Sequence, residues 1–182
     1  MELLEAVNTV LPFMGEHPVT RVEGSSHPVV DAIVLAIARK TRLLLAEGWW
    51  FNEHTTTLEV ETDGRIRAPS NCIAVYGISA KVSIEGGYLY DLGNNTRYFT
   101  NSVDVKFIRN IPFTDLPEYA AQYVTYDAGI EVYTSDLGVE ESLQVMQATA
   151  NRSLAQLRQE NLRNRDYNVH KRSKPRRYWR LR

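Results

Sequence analysis

The hydrophobic pattern of the chain begins with helical spacing. Apolar side chains recur on one helical face over residues 2–11, and the pattern predicts a helix that Pro12 ends. A loop rich in Gly, Pro and Ser follows, and a second helix is predicted from His27–Pro28 because proline suits a first helical turn. Gly48 is its predicted stop, and its predicted buried stripe comprises Val30, Ile33, Val34, Ile37, Thr41 and Leu44.

Between residues 53 and 110 the pattern changes to short stretches rich in β-branched and aromatic residues. Such stretches are typical of strands, and turn signals separate several of them. The predicted strand segments are HTTTLEVE, CIAVYGI, AKVSIEG, YLYDL, TRYFT and VDVKFIR. The run YLYDLGNNTRYF predicts a hairpin whose tip is Gly93-Asn94-Asn95. We therefore expect a small antiparallel β-sheet in this part of the chain.

Helical spacing returns after the predicted sheet. A third helix is predicted with Asp115 as its cap and Pro117 in an early turn, and its shared face comprises Tyr119, Ala120, Tyr123, Val124 and Asp127. A fourth predicted helix covers roughly residues 139–166, with an apolar stripe formed by Leu143, Met146, Ala150, Leu154 and Leu157. Beyond Tyr167 the periodicity stops and Pro175 disfavours a helix, so an extended tail is predicted.

This order of elements predicts an α+β fold. A bundle of about four helices is interrupted by a small antiparallel β-sheet and ends in an extended C-terminal tail. The predicted boundaries place the first part of the bundle at residues 1–52 and the β-rich insertion at 53–112. The second part of the bundle then covers residues 113–166, and a basic C-terminal arm covers 167–182.

The charge of the chain is divided unevenly between its two ends. The net charge is −1, yet residues 152–182 hold eleven basic and two acidic residues, a balance of +9. Residues 1–151 therefore carry a balance of −10. This division indicates an acidic partner, or head-to-tail association in which one copy's basic end meets a neighbour's acidic body.

Candidate chemistry in the sequence is weak, and we expect a protein that is not an enzyme and that uses no cofactor or metal. The four histidines (His17, His27, His54 and His170) lack metal-ligand spacing. Cys72 lies in a predicted strand, where a packed thiol is the common case, and as a single cysteine it excludes an intrachain disulfide. The acidic pairs Glu140–Glu141 and Asp115–Glu118 suit helix N-termini. A hydrolase acting on a cell-surface polymer stays an alternative that rests on these carboxylates alone.

The chain's length and its apolar segments limit the number of domains and the classes of protein to which it can belong. At 182 residues it is long enough for one domain with an appendage. No apolar run approaches the ~20 residues of a membrane span, so we expect no membrane partner. The N-terminus MELLEAVNTV lacks the basic-then-apolar order of a signal peptide.

The tail KRSKPRRYWRLR, residues 171–182, combines basic with large apolar side chains. A solvated end would explain the charge, and a nucleic-acid-binding tail would use arginine on phosphates and aromatics on bases. We favour docking on a partner protein, because Trp, Tyr and Arg are enriched at interface hot spots and Pro175 lowers the cost of ordering. The predicted binding residues are Lys171, Arg172, Lys174, Arg176, Arg177, Tyr178, Trp179, Arg180, Leu181 and Arg182.

Four segments in fixed order carry a family resemblance. They are AVNTVLPFMGEHPV, AEGWWFN, GGYLYD and IPFTDLPEYAAQYVTYDAG. Together, over about residues 6–129, they resemble the tail tubular protein A family, the head-to-tail adaptors of short-tailed phages (podoviruses).

The resemblance implies a structural protein of the virion, located at the head–tail junction and assembled in the host cytoplasm. It implies a homo-oligomeric ring, typically a dodecamer, beneath the portal protein that closes the capsid. The tail nozzle (tail tubular protein B) would meet the other face, with tail fibres attached near that junction. Genomic DNA would pass through the central channel during ejection without sequence recognition, and the C-terminal arm would grip the portal. The family supplies no catalytic residues.

Overall fold

Helices and strands follow one another in the order that the sequence predicts. The computed structural model describes residues 1–24, 27–136, 138 and 142–165. Its helices are α1 (Leu3–Val10), α2 (Pro28–Ala46), α3 (Glu118–Asp136) and α4 (Ser142–Asn164). Its strands are β1 (Glu53–Leu58), β2 (Cys72–Gly77), β3 (Val82–Glu85), β4 (Tyr88–Asp91) and β5 (Val103–Arg109). The α+β class is confirmed, whereas the predicted extended tail at 167–182 lies outside the described residues.

The first helix ends in a tighter turn than the sequence predicts. α1 stops at Val10, and residues Leu11–Met14 continue as a 3₁₀ helix with Pro12 in its first turn. Proline is tolerated there because a first-turn N–H has no helical partner. Gly15 then adopts a left-handed conformation with φ 76° and closes the turn.

Helix α3 is the centre of the helical part and packs against α1, α2 and α4. Gly129 permits this crowding: a Cβ atom there would lie 3.1 Å from both methyl groups of Val10 and 3.4 Å from the Met146 sulfur. Charged side chains join α2 to α3 as well, since Lys40 Nζ lies 2.9 Å from Asp127 Oδ2. The apolar stripe of α2 is buried as predicted except for Val34, which is half-buried.

The five strands form two sheets instead of one. The larger sheet has the antiparallel order β1-β5-β2, and β3 pairs with β4 in a separate two-stranded sheet. The sheet side chains enclose a small core of their own, formed by Ile66, Val75, Val82, Leu89, Val103 and Val105.

The predicted hairpin at Gly93-Asn94-Asn95 is wrong in its pairing. β4 pairs with the preceding strand across Gly86 and Gly87, both with positive φ, and the downstream segment meets it only in an Asp91–Thr96 bridge. The Asp91 carboxylate accepts hydrogen bonds from the backbone N–H groups of Gly93 and Asn94 and so closes the turn. Beyond it, the free edge of β4 is taken by the 66–68 segment, because Leu89 N–H donates to the Ile66 carbonyl oxygen at 2.8 Å and Arg67 bridges Tyr88, so TRYFT forms no strand.

Candidate functional site at the root of the C-terminal arm

The structure describes the body to which the basic arm is joined. All ten predicted binding residues, from Lys171 to Arg182, lie outside the described residues and stay a prediction. The site that can be built from contacts is therefore the root of the arm, where α4 ends beside the start of β1. Its residues come from three elements that lie far apart in the sequence.

Helix α4, which precedes the arm in the sequence, has one face against the bundle and one face outside it. Its inner face, with Met146, Ala150 and Leu157 buried, packs against α3. Ser153 is buried among them, and its hydroxyl lies 3.4 Å from the Gln122 side-chain oxygen. Its outer face bears the exposed arginines Arg152, Arg158 and Arg163. The basic character of the arm therefore begins on the described part of α4.

Arg165 follows the last turn of α4 and bonds to two acceptors. Its Nη2 donates to the Gly48 carbonyl oxygen at 2.9 Å and to Glu53 Oε2 at 2.6 Å. The other carboxylate oxygen of Glu53 lies 2.9 Å from Lys106 Nζ. We call these four residues the Arg165 clasp. The clasp joins the end of α4 to the end of α2 and to the neighbouring strands β1 and β5.

The clasp is more sheltered than an ordinary surface ion pair. The side chains of Arg165 and Glu53 are 29% and 24% exposed. Fully exposed pairs contribute about 0–1 kcal/mol, and shared charge networks contribute more. A planar guanidinium binds two acceptors in a fixed geometry. A lysine ammonium can also bind two acceptors, but its donors rotate and fix the geometry less closely.

A second hydrogen bond fixes the last turn of α4 to the same segment. The backbone N–H of Trp50 donates to Asn161 Oδ1 at 3.1 Å. Asn161 and Arg165 are one helical turn apart, so both lie on one face of α4. The end of the helix is thus held at two points of the 48–53 segment.

The 48–53 segment is itself rigidly built around Asn52. This side chain is fully buried; it accepts a hydrogen bond from Trp49 N–H at 2.7 Å and donates to the Leu45 and Arg109 carbonyl oxygens at 3.0 and 3.1 Å. The Trp49 indole donates to the Leu44 carbonyl at 2.7 Å. Asn52 therefore joins the end of α2 to the end of β5 and supports the clasp from beneath.

Gly48 and the aromatic run complete this junction. Gly48 has φ +74°, and a Cβ atom there would lie 2.8 Å from Ile108 Cδ1, so glycine suits both the turn and the packing. Phe51 lies parallel to Trp49, with ring centroids 6.5 Å apart, and edge-on to Trp50 at 4.9 Å. The aromatic run Trp49-Trp50-Phe51 thus packs at the junction of the helices and the sheet.

The described residues offer little support for catalysis. Burial raises the pKa of the Cys72 thiol, which favours the protonated form over a nucleophilic thiolate. Glu118 lies 3.6 Å from the N-terminal amine of Met1, an ion pair at the start of α3, while the pair Glu140–Glu141 is outside the described residues. Within residues 1–24, 27–136, 138 and 142–165, no group of three or more His, Cys, Asp or Glu side chains is placed to hold a metal ion. None of the helices in that part combines the length and apolarity of a bilayer span.

The residues of the clasp were not among the sequence-based site predictions. Arg165 carries a weak signal, since a basic residue near a helix C-terminus is favoured by the helix dipole. Its partner Glu53 is 112 positions away, and nothing local to either residue indicates the pairing. Asn52 carries no signal of its own beyond its place after the aromatic run.

Comparison with known proteins identifies the family. The model of the family described as Tail tubular protein matches residues 4–167 of the chain. Tail tubular protein A of Klebsiella phage KP34 is 34% identical over 173 residues, which cover 94% of this chain and 92% of that protein. A place in the virion follows from this match. The chain belongs to the tail tubular protein family and is a structural component of a phage tail.

Proposed function

We propose that this tail protein is a head-to-tail adaptor that forms a ring between the portal and the tail nozzle. The proposal rests above all on the family match, which spans nearly the whole body, together with a basic, aromatic arm that follows it. In this role the chain works as a connector and performs no catalysis. It assembles in the host cytoplasm and lies at the head–tail junction of the virion, with tail fibres attached nearby.

The arm, residues 167–182, is the proposed portal-gripping element. Tyr178, Trp179 and Leu181 would enter pockets of the portal, and the surrounding arginines would pair with its carboxylates. Support comes from the root of the arm, because Arg165 and Asn161 hold the end of α4 firmly on the body. A rigid root limits the positions that the arm has to search before it docks.

A ring arrangement suits the uneven charge of the chain. A balance of −10 over residues 1–151 opposes +9 over residues 152–182, so copies can associate head to tail. We propose a dodecamer, in which twelve arms act together and each contact is strengthened by the high effective concentration of the others. An acidic body also favours a channel along which DNA slides without being held.

Nucleic-acid binding by the same arm is the second candidate, favoured by its seven basic residues among positions 171–182. Salt distinguishes the two candidates, because phosphate contacts predict a steep linear fall of log affinity with log salt concentration. Docking through aromatic pockets predicts a shallower dependence on salt. It also predicts a larger loss from Trp179→Ala than from Arg182→Ala.

Deletion of residues 171–182 tests the proposed function. The truncated protein should fold normally, because the described core is built without this segment, and it should fail to attach to purified portal rings. Binding is measured by co-sedimentation, and folding by circular dichroism. A second variant replaces Trp179 and Tyr178 by alanine, leaves every basic residue in place, and should also lose portal attachment. Normal portal attachment by the truncated protein would overturn the proposal.

A further inference from the structure

We infer that the Arg165 clasp is a positioning device that fixes the starting point of the C-terminal arm for portal docking. This inference rests on the proposed function, since the clasp acts through the arm and is not itself a portal contact. Its four members are Arg165, Glu53, Lys106 and the Gly48 carbonyl, and all of them lie in the described part of the chain.

The position of the clasp in the chain supports this role. Arg165 directly precedes residues 166–182, so whatever holds its side chain also restrains the backbone from which the arm departs. Helix termini fray unless side chains or neighbours hold them. The hydrogen bond that the Trp50 N–H donates to Asn161 Oδ1 holds the preceding turn, and Arg165 extends this hold to the end of the described helix.

The two acceptors of Arg165 fix the position and orientation of its guanidinium group. Glu53 directs one carboxylate oxygen to Lys106 and the other to Arg165, so Lys106 orients the carboxylate that receives the arginine. The Gly48 carbonyl supplies the second acceptor from the end of α2. Two acceptors on separate elements define the place of a guanidinium more closely than one acceptor does.

The physical benefit is a smaller ordering cost on docking. Each backbone residue that becomes fixed on docking loses conformational entropy. Residues at the root that are already fixed on the body lose no further entropy when the arm binds the portal. A fixed root also raises the effective concentration of the arm at the portal. Loss of the clasp should therefore weaken portal binding without removing any portal contact.

The first test measures the arm root in the free protein. A nitroxide is attached to the single cysteine of an Asn168→Cys, Cys72→Ser variant, and its mobility is read by electron paramagnetic resonance. Arg165→Gln and Glu53→Gln should each make the label clearly more mobile. The matched control is Arg152→Gln, an exposed arginine on the same helix, which should leave the spectrum unchanged. Equal mobility in all variants would overturn the inference.

The second test measures portal binding by the full-length protein at a temperature where every variant is folded. Arg165→Gln and Glu53→Gln should each raise the dissociation constant about fivefold, and Arg165→Lys should fall in between. The double variant should lose no more portal affinity than either single variant, because both substitutions open the same clasp. A purely structural role would shift the unfolding temperature without changing the affinity of the folded protein.

The outcomes separate this inference from the proposed function. A short Gly-Ser insertion between Arg165 and Asp166 should weaken portal binding like Arg165→Gln, because it leaves the clasp closed but frees the arm. If the arm deletion abolishes portal binding while the clasp variants bind normally, the inference fails and the proposed function stands. If the arm deletion has no effect on portal binding, the proposed function fails, and the nitroxide spectra alone decide whether the clasp restrains the arm.

Discussion

The helical part and the β-rich part of this chain are held together by different means. The helices share one large core that includes Leu11, Ile33, Leu45 and Leu157, with α3 in contact with each of the other three. The strands enclose a core of six buried residues, and the side chains of Asp63 and Asp91 bond to backbone N–H groups in the turns between them. Periodic burial therefore specifies the bundle, whereas individual local contacts specify the insertion.

Surface contacts reinforce this contrast. Within the insertion, Arg65, Arg67 and Arg97 pair with Asp63, Glu61 and Glu85 respectively. Arg65 and Arg67 also lie over the Tyr88 ring, at 4.2 and 5.3 Å from its centroid. Such exposed contacts are individually weak, so the insertion is expected to be the less stable of the two parts.

Removing one leucine from each core gives the largest expected effects. Leu45→Ala and Leu89→Ala should each cost about 2–5 kcal/mol, because both side chains are fully buried. Leu45→Ala should lower the stability of the whole chain. Leu89→Ala should unfold the insertion first and leave the helices intact.

Amide hydrogen exchange, read together with the helical circular dichroism signal, checks this difference. Loss of protection confined to the strands in Leu89→Ala would support a separate β-rich unit. The predicted division of the chain at residues 53 and 112 is tested by the same measurement. Simultaneous loss of helix and strand protection in both variants would show one cooperative unit and remove the contrast.

Breaking the junction between the two parts should have the next largest effect. Asn52→Ala leaves the Trp49 N–H and the Leu45 and Arg109 carbonyls without their buried partner, and should cost about 2–3 kcal/mol. Denaturant unfolding, followed separately by tryptophan fluorescence and by far-ultraviolet circular dichroism, measures the loss. Asn8→Ala is a comparison variant, because its side chain also bonds to backbone, at Val19, but only within the helical part. An Asn52→Ala protein with coincident transitions and unchanged midpoint would contradict a joining role.

The smallest expected effect concerns acid sensitivity of the insertion. Hydrogen bonds from the Asn94 side chain, and from the Asn94 and Gly93 backbone, lower the pKa of the Asp91 carboxyl below its usual range. Because the pKa is lower in the folded state, the carboxylate stabilises the fold above its unfolded pKa of about 4. This stabilisation is lost as the pH falls through the folded pKa. Asp91→Asn should flatten the acid limb of a plot of unfolding temperature against pH, and an unchanged acid limb would contradict the assignment.

Much of the helical part could be predicted from the sequence, because the apolar spacing that indicates a helix lies within one short stretch of the chain. The spacing of apolar residues located α2 and α4, and Gly48 marked the end of α2. The strands were also located, but their pairing was only partly correct. β4 joins β3 at one edge, and the 66–68 segment takes most of its other edge, so the segment that follows β4 meets it only at Thr96.

The arm could also be predicted from the sequence, whereas its root could not. Composition alone marked residues 171–182 as a basic, aromatic arm, and four ordered segments were enough to indicate the family that the comparisons confirm. The place where the arm departs was decided by tertiary structure. Arg165, Glu53 and Gly48 meet across 112 and 117 positions of sequence, and local periodicity carries no information about a contact of that range. Short-range pattern therefore determined the elements and the tail, whereas the tertiary contacts between the end of α4 and the 48–53 segment decided the point from which the tail departs.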